Sequence, residues 1–132
     1  MSAADQVLTA ITLVSIPTVM FGGYSLLRLR GAGRLSEFQA GFFRAGHAHA
    51  GVLLVLTLAA LSVAARFSLS DGLTWAVGLL LLVGTLAQSG GMFIHMGVGR
   101  PGHWSWGNTV SSIGAVLLAA GTLTLAYGVV TA

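Results

Sequence analysis

Four apolar runs, each close to the length needed to cross a bilayer, constrain this chain more than any other feature. They cover about residues 7–27, 41–65, 73–96 and 108–130, near the roughly 20 residues that span a ~30 Å hydrocarbon core. A chain in lipid must satisfy its backbone N–H and C=O groups internally, and four strands are too few to close a barrel. The runs are therefore expected to be helices. The fold is expected to be an all-α membrane protein, a bundle of four transmembrane helices forming one domain over residues 1–132. Charge agrees: 7% of the residues are charged, against about 25% in a soluble domain, too few to cover a water-facing surface. Asp5 and the lack of a basic residue before the first run fit a retained helix rather than a cleaved signal. Pro17 removes a helical hydrogen bond inside that run and is expected to kink it.

The linkers differ in charge. Arg28, Arg30 and Arg34 lie between the first two runs, Arg44 just beyond them, and Arg100 between the last two. Only Arg66, balanced by Asp71, lies in the middle linker. Linkers one and three fall on the same side of a four-helix chain, so one side carries five arginines and the other one. The positive-inside rule makes the arginine-rich side cytoplasmic, as in a bacterial inner membrane, with both termini outside. The formal charge of +3 is small and scattered, which argues against a nucleic-acid partner.

All four histidines also fall on the arginine-rich side. His47 and His49 open the second run, His95 closes the third and His103 lies in the last linker. The run Arg44-Ala45-Gly46-His47-Ala48-His49-Ala50-Gly51 is answered by Gln88-Ser89-Gly90-Gly91-Met92-Phe93-Ile94-His95, and these two helix ends are expected to meet. His47 and His49 are two apart, so on a helix they point roughly 200° apart and cannot readily share one ion. Imidazole in such a place ligates haem iron or zinc. A structural zinc site wants about four ligands, and of the three acidic residues Asp5 and Asp71 are on the wrong side. Haem needs one or two histidines and an apolar slot, and fits this inventory better. The plain alternative is a histidine that only hydrogen-bonds a neighbouring helix. Arg44 is placed to pair with Glu37 or a propionate. Trp104 and Trp106 are interfacial anchors or the walls of an apolar cleft.

Other chemistry is excluded by what is missing. There is no cysteine and no lysine, so disulfides, thiolate ligands and Schiff bases are ruled out. No Ser-His-Asp set, Walker loop or carboxylate pair is present. Gly107, Gly114, Gly121 and Gly128 recur every seven residues in the fourth run, which predicts a thin stripe along which another helix backbone approaches, within or between subunits.

Phe21-Gly22-Gly23-Tyr24 late in the first run, the Arg/Ala/His/Gly string of the second, the Gly-aromatic close of the third and the Gly97–Asn108 loop follow one another in an order that resembles the styrene oxide isomerase family. The resemblance implies a homotrimer of MAPEG-like shape with ferric haem b at each subunit interface. Iron would open a small hydrophobic epoxide to an aldehyde as a Lewis acid. Ala48-His49-Ala50-Gly51 matches the string holding the family's axial histidine, and a shift of two residues would put His47 there instead. The two rank nearly equal as iron ligands, with Arg44 and Trp104 as further haem-binding candidates. The family's active-site asparagine falls on Leu53 or Val55 and its late tyrosine near Phe93 or Ile94. His95 is therefore the candidate catalytic residue, or a second axial ligand. Two other classes stay open: a bis-histidine haem electron carrier or gas sensor, and a cofactor-free accessory subunit.

Overall fold

The computed structural model describes residues 2–132. Four helices follow one another: α1 (Ala3–Gly31), α2 (Glu37–Arg66), α3 (Asp71–Val98) and α4 (Trp106–Thr131). All four are long and apolar enough to cross a membrane. The protein is an all-α four-helix bundle.

Each helix starts two to four residues before the apolar pattern begins, because each is opened by a serine. Ser2, Ser36, Ser70 and Ser105 are the N-caps, each accepting a backbone N–H from the first turn. Asp5, Gln39 and Asn108 reach back to close capping boxes at three of them. Such caps satisfy orphan donors of the first turn, so polar residues there extend the helix rather than delay it. Helix α1 runs without a break through Pro17.

Helices α2 and α3 each touch the other three, α3 most extensively, whereas α1 and α4 make no contact with each other among the described residues. Helices α1 and α4 therefore flank the α2–α3 pair. The core is thin. Val77 and Leu81 of α3 pack with Ala60 of α2 and Leu118 of α4, and Ala4 and Leu8 of α1 pack with Leu61 of α2. Much of the large apolar surface points outward instead, including Val14 and Leu27 on α1 and Leu123 and Val130 on α4. In water that surface would be a liability; against lipid tails it is ordinary.

The seven-residue glycine stripe of α4 is buried within the chain, against α3. A Cβ at Gly107 would lie 2.5 Å from the backbone nitrogen of His95, and one at Gly114 would strike the backbone of Gln88. Gly91 answers from α3, where a Cβ would lie 2.5 Å from the Gly107 carbonyl oxygen. Ser111 Oγ donates to the Gln88 carbonyl across the seam at 2.9 Å. Further along, Gly121 and Gly128 meet leucine side chains, Leu81 and Leu73 among them, rather than backbone.

Candidate functional site

The start of α2 and the end of α3 do meet. The His95 ring packs edge-on against Phe42 at 4.4 Å and Phe38 at 5.3 Å between centroids. Its Nδ1 shares a 2.6 Å hydrogen bond with Ser105 Oγ, the N-cap of α4. His95 is 4% exposed. It therefore joins three helices at the arginine-rich end, clasped by two phenyl rings with a hydroxyl as partner.

His47 and His49 lie on opposite flanks of α2, as their spacing requires. His47 faces α1. Its imidazole lies over Gly22 and Gly23, and a Cβ on Gly23 would be 2.9 Å from Nε2. The adjacent glycines are thus the seat of the ring. His47 is half-buried, with its Nε2 edge against the α1 backbone.

His49 is also half-buried. Its Nδ1 lies 2.8 Å from the Ala45 carbonyl oxygen one turn back. A carbonyl accepts only, so Nδ1 donates here, and in the neutral ring the lone pair is on Nε2. His49, Val52 and Leu56 share a face at i, i+3, i+7 spacing, and Val52 and Leu56 are exposed. His49 therefore heads an outward apolar stripe with its free nitrogen unclaimed. The backbone acceptor fixes the orientation of the ring, and the stripe beside it is apolar.

The other candidates are more peripheral. Arg44 is exposed about one turn before the histidines. Trp104 is 71% exposed and donates from Nε1 to Thr109 Oγ1 at 3.0 Å, as an interfacial anchor does. His103 is exposed in a tight turn, its N–H bonded to the Arg100 carbonyl at 3.1 Å. Among the described residues, no three His, Cys, Asp or Glu side chains come together to hold a bare metal ion.

Two hydroxyls escape the sequence reading. Thr85 and Ser89, one turn apart on α3, are each 5% exposed, and neither oxygen has a hydrogen-bond partner. Elsewhere in the bundle such groups bond back to a carbonyl one turn earlier, as Thr12, Thr57 and Thr124 do. An unsatisfied buried hydroxyl costs about 1–3 kcal/mol. Both side chains line a cleft of about 390 Å³ between α1 and α3, with Ala50 and Leu54 of α2 as its floor. His47 lines two smaller cavities that adjoin it, sharing Val19, Ala50, Phe93 and Leu54 with it.

Comparison with known protein families, with curated proteins and with solved structures found no match. The class that fold and composition define is a four-helix bundle suited to the membrane.

Proposed function

We propose that this is an integral membrane protein, of the inner membrane of a bacterium with its histidine-rich side cytoplasmic, that binds haem b through His49. The observation that carries the reading is the His49–Ala45 hydrogen bond, which leaves Nε2 as a ready ligand on an outward apolar face. His47 is the weaker candidate, because its Nε2 edge abuts the Gly23 backbone. His95 is held by Ser105, Phe38 and Phe42, which favours a single protein ligand on iron and argues against the bis-histidine electron carrier. A haem on the His49 stripe has a wall on one side only, so a second copy of the chain completes the site, consistent with a trimer.

Bound there, haem iron would supply a Lewis acid for opening a small hydrophobic epoxide to an aldehyde without net redox change. The Ala45 carbonyl would hold the His49 imidazole in one orientation toward it. Arg44, at the mouth of α2, offers a guanidinium to a propionate. The apolar stripe of Val52 and Leu56 would keep water from the haem. Without Asn at Leu53 or Val55, the chain orients the epoxide by shape more than by hydrogen bonds.

The visible spectrum of detergent-purified protein, oxidised and reduced, tests the reading. A Soret band is expected, lost in His49→Ala and kept in His47→Ala, with turnover of an aryl epoxide to its aldehyde following haem content. Colourless wild-type protein would make it a cofactor-free subunit. Unchanged haem content in both variants would overturn the ligand assignment.

A further inference from the structure

A groove runs along the outer flank of the α1–α2 pair. It encloses about 300 Å³ and is lined by Ile16, Met20, Gly51, Leu54 and Val55, with His47 at its head. Met20 and Val55 are exposed, so the groove opens outward. Two contacts fix the register of its walls. Gly23 meets His47, and Val19 meets Gly51. The helices are antiparallel, so a step forward on α1 is a step back on α2. In that register Arg44 is level with Leu26, and Arg30 is level with Ala40. Both arginines stand beyond His47, within ~6 Å of each other along the bundle.

Helical spacing puts both arginines on the faces that line the groove. Arg44, His47 and Gly51 stand at i, i+3 and i+7 on α2, and Ile16, Gly23 and Arg30 at i, i+7 and i+14 on α1. Both guanidinium groups are on exposed residues. Glu37 is the one acidic residue at this end, against the five arginines, so pairing within the chain cannot neutralise them. A second copy in the same orientation brings the same excess. A zwitterionic headgroup brings a cation of its own. An anionic phospholipid supplies both missing parts, a negative headgroup for the arginines and a tail for the groove. We propose that the α1–α2 groove binds one anionic phospholipid, its headgroup at the level of Arg30 and Arg44 and one acyl chain between Ile16 and Val55. The site does not depend on haem, since His49 lies on the other flank of α2.

Native mass spectrometry of the full-length protein in detergent tests this, by titration with phosphatidylglycerol or with phosphatidylcholine of the same acyl chains. One phosphatidylglycerol per chain is expected to bind roughly tenfold more tightly than phosphatidylcholine, the effect of two basic residues. Arg44 is also the propionate candidate, so Arg30 carries the test. Arg30→Gln should weaken phosphatidylglycerol about fivefold, the effect of one basic residue at an anionic surface. Arg28 is the control. It carries the same charge at the same end, but lies roughly 200° round α1 from Arg30 and is bonded to Tyr24 at 3.2 Å. Arg28→Gln should change binding by less than about twofold, because that exposed charge faces away and is screened. A Cβ on Gly51 makes only an ordinary contact with Val19, so Gly51→Leu fills the groove and should weaken both lipids. Circular dichroism reports that each variant is folded. Equal binding of the two lipids would overturn the proposal. Equal losses in Arg28→Gln and Arg30→Gln would reduce it to diffuse charge and overturn it too. So would undiminished binding in Gly51→Leu, or no retained lipid on folded wild-type protein, the result expected if a second copy covers the groove. Colourless protein that binds phosphatidylglycerol in this way would end the haem reading and leave this one standing.

Discussion

Gly90 and Gly91 are neighbours on α3 and face opposite worlds. Gly91 is pressed against α4, with the Gly107 carbonyl and the Ser111 backbone where its side chain would be. Gly90 looks into the α1–α3 cleft, and nothing lies within reach of a Cβ there. The same residue type serves two purposes 100° apart on one helix. On the α4 side it permits backbone contact; on the α1 side it leaves room. Without a hydrophobic drive between helices in lipid, close packing and interhelical hydrogen bonds hold the bundle together. The α3–α4 seam is therefore the firm half of the molecule and the α1–α3 cleft the permissive half.

The sharpest way to break this contrast is to put the same side chain at both positions. Gly91→Leu has to push two helix backbones apart. Overpacking of a tight core costs roughly 1–3 kcal/mol and occasionally more. Because backbone rather than a flexible side chain blocks the way, a loss of about 3 kcal/mol or more is expected here. Gly90→Leu is expected to lose nothing and to gain up to about 1 kcal/mol, since leucine is a better helix former than glycine and nothing lies within 4 Å of its Cβ. Denaturation in mixed micelles, followed by circular dichroism, measures both. Equal losses would mean that the cleft is filled in the native assembly.

The seam also ends differently from the cleft. Its arginine-side end is tied by Ser105, which caps α4 through the Gly107 N–H at 3.2 Å and shares the bond with His95. Ser105→Ala removes the cap, worth about 0.5–2 kcal/mol, and strips a buried imidazole of its partner. A combined loss of about 2 kcal/mol is expected in the same measurement. A loss below about 0.5 kcal/mol would show that the seam does not depend on this tie.

The two halves were not equally legible in the sequence. The stripe of Gly107, Gly114, Gly121 and Gly128 announces itself by its period, and only its partner had to come from the structure. The four spans follow from hydropathy, while their true starts depend on single serines that polar first turns disguise. The 200° separation of His47 and His49 follows from spacing alone; which nitrogen each leaves free depends on Gly23 and on the Ala45 carbonyl. The union of the α2 start with the α3 end is foreshadowed by His95, yet its partners Phe38, Phe42 and Ser105 carry no pattern. The cleft left no periodic trace. Thr85 and Ser89 look like the other helix hydroxyls, and only their lack of partners sets them apart.

The smallest change sharpens the comparison most cleanly. Alanine at position 90 adds a methyl group to the open side of α3 and takes glycine's extra backbone freedom from the unfolded chain. Glycine inside a helix costs roughly 0.5–1 kcal/mol relative to alanine, and with nothing within 4 Å no clash offsets the gain. Gly90→Ala is thus expected to stabilise the protein by about that amount in mixed micelles, whereas Gly91→Ala should destabilise it, since its methyl would lie 2.5 Å from the Gly107 oxygen. The opposite signs are the diagnostic. If Gly90→Ala destabilised as well, something other than the described residues of this chain would have to fill the cleft in the micelle, because none of them lies within 4 Å of where the methyl group goes.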